Sequence, residues 1–286
     1  MDLQQLMALR PLIDTTEGSA GVVLGLIDGP VDAAHPDFAR ARLLPLGGGA
    51  CQPAGGACRH GTFLAGMLAA RRGSPAPAIA PGCPVVIRPI FGDGPPGSAP
   101  AATPDELARA LTEVIAAGAR VVNLSLASPP SLAVSSEVSS ACELACQRGV
   151  IVVAAAGNQR ALGRAASLAH PWVLPVAGCD AAGRLAAGSN LSPSIGRRGL
   201  LAPSVSVVST APGGGYGHGQ GTSVAAAWVS GAIALLWSLV PAASASEVVA
   251  ALRPASPGLH RRLAPPLLDA AAAWQRLRLL TERKGD

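Results

Sequence analysis

Lysine is all but missing from this chain: Lys284 is the only one in 286 residues, and charged residues of every kind make up only 14%. The net charge of +5 is therefore an arginine charge. Basic pairs such as Arg71/Arg72, Arg197/Arg198 and Arg261/Arg262 are scattered and have no aromatic residues between them. That pattern excludes a nucleic-acid surface and is compatible with an acidic peptide partner. Aromatics are equally scarce, at 3%, while 49% of residues are hydrophobic. The interior must then be packed from small and aliphatic side chains, which suits stacked α/β layers.

Six cysteines are too few for a disulfide scaffold in a chain this long. Cys142 and Cys146 share a helical face and read as reduced thiols. Cys51 and Cys58 bracket a glycine-rich loop before His60, where a bridge or a redox role stays open. No zinc-ligand spacing occurs and acidic clusters are few, so neither a metal nor a cofactor is expected. The N-terminus lacks the basic and apolar regions of a signal peptide, which makes a cytoplasmic location the expectation. No segment of propeptide size precedes Asp28, so folding without one is expected. The longest apolar run, 224–240, is short for a membrane span and contains Ser230 and Gly231; it reads as a buried helix, with no membrane partner. No linker divides the chain, so one domain over 1–286 is expected, with a core of about 20–240 and a helical tail over 241–286.

Taken in order, residues 21–27 form a β-branched and aliphatic run ending at Asp28-Gly29-Pro30. Such a run predicts a fully buried parallel strand with an acid at its carboxyl end, the edge where open α/β sheets bind ligands. His60-Gly61-Thr62 follows a loop and is predicted to open an apolar helix through Ala70. Strands are predicted at 84–91, 120–128, 150–156, 172–178 and 201–210, and helices at 103–117, 138–148 and within 265–283. Alternating strands and helices predict a mostly parallel sheet with helices on both faces. Gly219-Gln220-Gly221-Thr222 then feeds Ser223 into the long apolar run, placing its hydroxyl at a helix N-terminus, where the dipole favours negative charge.

An acid at a strand end, a histidine and a serine at helix starts are the parts of nucleophilic acyl transfer. Serine needs a base to take its proton, and a buried carboxylate orients that base. The order Asp28, His60, Ser223 resembles that of the subtilisin-like serine proteases. Their histidine motif is matched by His60-Gly61-Thr62 with Ala65-Gly66, and their serine motif by Gly221-Thr222-Ser223 with Ala225. Their oxyanion asparagine is matched by Ala156-Gly157-Asn158, and their substrate strand by Asn123-Leu124-Ser125-Leu126.

The resemblance implies a three-layer subtilisin-like sandwich in which Ser223 is the nucleophile, His60 the base, Asp28 its orienter and Asn158 the oxyanion donor. It also implies a peptide lying along Leu124, Ser125, Leu126 and Ala127, with a pocket walled by Ala154, Ala155, Ala156 and Gly157. The chain departs from the pattern at Gly29, Phe63, Ala127, Ser204, Ala227 and Trp228. Asp28-Gly29-Pro30, with Ile79-Ala80-Pro81-Gly82-Cys83 and Pro212-Gly213-Gly214-Gly215, is similar to the protease domains that mature cyanobactins of the patellamide type.

Leader removal from a ribosomally made precursor peptide or protein is therefore the expected reaction. A macrocyclase using the same triad and a catalytically silent precursor-binding scaffold are the alternatives. No insertion large enough for the cap of the macrocyclising branch is evident, so hydrolysis leads. The sequence leaves the oligomeric state and the preferred substrate residue open.

Overall fold

Strands that are apolar along their whole length must be covered on both faces. The computed structural model describes residues 2–92, 102–125, 135–163, 170–253, 263–282 and 284. Seven strands form one parallel sheet: β1 (Val23–Asp28), β2 (Leu43–Pro45), β3 (Val85–Pro89), β4 (Ala119–Leu124), β5 (Ile151–Ala155), β6 (Val173–Cys179) and β7 (Leu200–Pro203). Their order is β2-β3-β1-β4-β5-β6-β7, with β1 paired in parallel to both β3 and β4. A hairpin of β8 (Val207–Ala211) and β9 (Gly215–Gly219) stands apart as a two-stranded antiparallel ribbon.

The described helices are α1 (Leu3–Leu6), α2 (Arg10–Thr15), α3 (Gly56–Ala69), α4 (Pro104–Ala116), α5 (Ser136–Gln147), α6 (Pro193–Arg198), α7 (Thr222–Leu239), α8 (Ala245–Leu252) and α9 (Ala270–Glu282). On one face, α3 and α7 pack with α2, α8 and α9 in the larger core, around Leu64, Met67, Val229 and Trp237. On the other, α4 and α5 close a second core through Leu107, Leu111, Ala141 and Cys142. The result is a three-layer sandwich, a parallel sheet between two helical layers, as the resemblance implies. By length and composition α7 could cross a membrane, yet 83% of it is buried in the protein, as expected of a helix apolar all round. The start of α4 follows from local chemistry: Thr103 and Glu106 form a capping box, and Pro104 occupies the first turn.

Two expectations are corrected. The single strand predicted over 201–210 is two strands in different sheets, because Pro203 ends the parallel ladder and the chain turns at Ser204 before β8 joins β9. The helix predicted to open at His60 begins at Gly56, so His60 lies in its second turn. The helix predicted within 265–283 is α9; α8 precedes it, started by a capping box of Ser244 and Glu247. The short elements β2, β9, α1 and α2 were not anticipated; each is held by neighbours distant in sequence or is too short to show a period.

Candidate active site

Asp28 is the last residue of β1, 1% exposed, and its Oδ1 accepts hydrogen bonds from the Gly29 N–H and from His60 Nδ1, each at 2.7 Å. A carboxylate can only accept, so Nδ1 carries the proton and Nε2 is left with a lone pair. The second carboxylate oxygen is buried without a partner among the described residues. Burial is the largest influence on His60 and lowers its pKa; the Asp28 charge and hydrogen bond more than reverse it, leaving the pKa raised. The imidazole itself is 44% exposed and reachable by a substrate.

The approach of α3 to the strand end depends on glycine. A Cβ at Gly29 would overlap the Ala57 carbonyl, and one at Gly61 would overlap the Gly29 and Pro30 carbonyls. Gly29, a departure from the family pattern, is thus required by the close seating of the helix that carries His60.

Gly221, at φ 110°, caps α7, so Ser223 is the second helical residue. Its hydroxyl donates to the Ser125 carbonyl at 3.4 Å, and no hydrogen bond joins it to His60 among the described residues. Asn158 follows β5 on an exposed turn, and its Oδ1 accepts the Thr222 N–H at 3.0 Å. Since that backbone group can only donate, the side-chain amide nitrogen is the other end, and it has no hydrogen bond among the described residues. Thr222 Oγ1 in turn accepts the Gly157 N–H at 3.0 Å, tying the turn to the helix start.

Asp28, Ser125 and Asn158 thus stand at or just beyond the carboxyl ends of three adjacent strands, β1, β4 and β5, with His60 and Ser223 brought in by helices from one face. Leu124 and Ser125 are buried at the end of β4; Leu126 and Ala127 lie outside the described residues. Ala154, Ala155, Ala156 and Gly157 are all buried, with Ala154 in the α4/α5 core and Ala155 in the α3/α7 core. A pocket wall built from this segment is therefore a backbone wall, because its methyl groups are already used in packing.

Two positioning roles were not assigned from the sequence: that of Asn123, which stands in the substrate-strand motif, and that of Asn190. Asn123 is fully buried; it accepts from the Ser230 hydroxyl at 2.9 Å and donates to Ser125 Oγ at 2.7 Å, linking β4 to α7. Asn190 accepts from the N–H groups of Gln159 and Ala161 and donates to the Ala156 carbonyl, bracing the turn that carries Asn158. A buried asparagine has no local signature, so only burial could reveal either one. Beside Pro30 opens a recess of about 520 Å³, whose lining includes Gln52, Arg88, Phe91 and Arg109.

Cys51 and Cys58 form a disulfide across the start of α3, two residues from His60, which resolves the alternative left open for them. Cys142 and Cys146 are free thiols, the first buried and the second half-buried.

The subtilase family model matches residues 19–271. Subtilisin of Bacillus pumilus is 28% identical over 240 residues, which cover 80% of this chain and 81% of that protein. Among solved structures, a mutant of the protease domain of PatA has a TM-score of 0.79 at 31% identity, covering 94% of this chain and 98% of that one. The prenylagaramide maturation protease PagA has a TM-score of 0.79 at 28% identity, with 94% and 98% covered.

Proposed function

Because the chain belongs to the subtilase family and is a subtilisin-like serine endopeptidase, we propose that Ser223, His60, Asp28 and Asn158 are its catalytic group and that it processes a precursor peptide. The observation that carries the reading is the 2.7 Å bond from His60 Nδ1 to Asp28, which leaves Nε2 as a free base at the rim where α7 presents Ser223. Likeness to PagA and PatA over 94% of the chain supports the choice of precursor peptide.

To pass its proton to His60 the Ser223 hydroxyl must leave the Ser125 carbonyl, a change of staggered χ1 well. Catalytic hydrogen bonds of this kind commonly tighten only once substrate is bound. Ser223 Oγ then attacks the scissile carbonyl while His60 Nε2 takes its proton. The oxyanion is met by the Asn158 amide and by the Ser223 N–H, which has no intrahelical partner in the first turn. His60 passes the proton to the leaving amine, and water reverses the sequence to free the acyl group. The peptide lies as an added strand beside Leu124 and Ser125, and the recess at Pro30 has room for one of its side chains.

Labelling with a fluorophosphonate and the masses of products from a peptide library test the reading together. Label on the native protein but not on Ser223→Ala, with products that have gained water, is the expected result. Products without added water would replace hydrolysis by cyclisation. A folded protein that takes no label would leave only a binding scaffold.

A further inference from the structure

At the amino-terminal edge of the sheet, opposite the rim of Asp28, a second hollow of about 250 Å³ lies between the start of β6 and α8. Trp172, Leu174 and Val249 supply apolar lining, and Arg198, Arg253 and Ser246 supply polar lining. The Trp172 ring is fixed by its N–H, which donates to the Val150 carbonyl at 2.6 Å.

The arginines come from two helix ends, α6 and α8, and are tied down by backbone carbonyls. Arg198 donates to the carbonyls of His170 and Val173 at 2.5 and 3.2 Å, and Arg253 to the carbonyl of Arg197 at 2.6 Å. Carbonyl ends of helices favour cations, which explains how the chain tolerates them there. Yet none of Arg197, Arg198 and Arg253 forms an ion pair with a carboxylate among the described residues; Glu143 is paired instead with the ring of His170 at 3.5 Å. Burial, and then the charges of Arg253 and Arg197, lower the pKa of Arg198. Among the described residues the site is a preorganised positive charge with no carboxylate partner, beside a fixed apolar wall.

Size decides what enters. Small-molecule sites usually exceed about 300 Å³, so this hollow takes a fragment of a larger partner rather than a whole cofactor. We infer that it is an exosite for an acidic and apolar segment of the substrate peptide, seating one large side chain against Trp172 and a carboxylate between Arg198 and Arg253. The inference rests on the peptide-processing reading and adds a second contact remote from the scissile bond. The length of β6 alone separates the sheet's two edges by about 20 Å at roughly 3.3 Å per residue. A substrate must therefore run at least six or so extended residues beyond the cleaved bond to reach both.

The test uses the full chain as Ser223→Ala, which prevents turnover, and a fluorescein-labelled peptide of alternating Leu and Glu, with a Leu/Gln peptide as control. The Leu/Glu peptide is expected to bind at least tenfold more tightly than the control. Arg253→Glu, which removes a partly exposed guanidinium, and Ala250→Trp, which fills the hollow from an exposed position, should each weaken it about tenfold. In the active enzyme the same two changes should raise KM for a long substrate carrying the Leu/Glu segment while sparing kcat and the hydrolysis of a short chromogenic peptide. That last readout separates the two readings: an active short-substrate assay with unchanged Leu/Glu binding overturns the exosite alone. Equal binding of the Leu/Gln peptide, or complete displacement by phenylacetate at low millimolar concentration, would also overturn it, the latter assigning the hollow to a free amphiphilic acid.

Discussion

Asn158 Oδ1 accepts the backbone N–H of Thr222 at 3.0 Å, so the residue before Ser223 dictates which end of the amide faces the catalytic rim. With Gly221 at φ 110°, and with a Cβ there falling 3.0 Å from Asn158 Nδ2, the helix start and the proposed oxyanion donor form one unit. Asn158→Ala is expected to lower kcat by about two to three powers of ten, a magnitude carried over from subtilisin, with KM little changed. Gly221→Ala should lower kcat as well, and also stability, through backbone strain of about 1–3 kcal/mol. Steady-state kinetics and unfolding curves on both variants check the pair; an unaltered kcat in Asn158→Ala would remove Asn158 from the oxyanion hole.

The proposed mechanism requires neutral His60, whose pKa lies above the ordinary 6.5 because Asp28 outweighs burial. The acid limb of kcat/KM should therefore have its midpoint above 6.5, with activity lost as pH falls through it. In Asp28→Asn the charge is gone while burial remains, so the midpoint should move below 6.5 and the rate should fall by about four powers of ten. A pH–rate profile of both proteins is the measurement, and an unmoved acid limb in Asp28→Asn would detach His60 from this control.

Ser230 lies two turns along α7 from Ser223 and reaches the fully buried Asn123. Ser230→Ala leaves Asn123 Oδ1 without its partner, a cost of about 1–3 kcal/mol. Chemical unfolding should report that loss, together with a smaller change in kcat transmitted through Ser125. Unchanged stability would mean that the amide finds another donor.

Burial pushes the Cys142 thiol up to about 12 and Cys179 up to about 11. Thiolates are the reactive form, so iodoacetamide should modify Cys146 in the folded, unreduced protein and spare Cys142 and Cys179. Mass spectrometry of peptides reads this directly. Reduction of Cys51–Cys58, or its replacement by two serines, should lower stability by about 2–3 kcal/mol on the chain-entropy view of a short loop. A melting temperature unchanged by reduction would show that α3 keeps its place without the bridge.

Much of this protein is local and was legible as such. The runs at 23–28, 85–89, 119–124 and 151–155 are strands because their residues are mostly aliphatic and buried, with Arg88 and Arg120 only partly so. Thr103 with Glu106 caps α4, and Gly221 ahead of an uncharged run starts α7, for reasons contained within a few neighbouring residues. The order of Asp28, His60, Asn158 and Ser223 could likewise be read before any fold was known. What only the tertiary structure decided were relations across long separations: β1 between β3 and β4, Asp28 against His60, the Ser223 hydroxyl on the Ser125 carbonyl, and the division of 200–211 between two sheets. Propensity and capping act through adjacent residues, whereas these pairings depend on which surfaces exclude water together, and that is settled by the packed core as a whole.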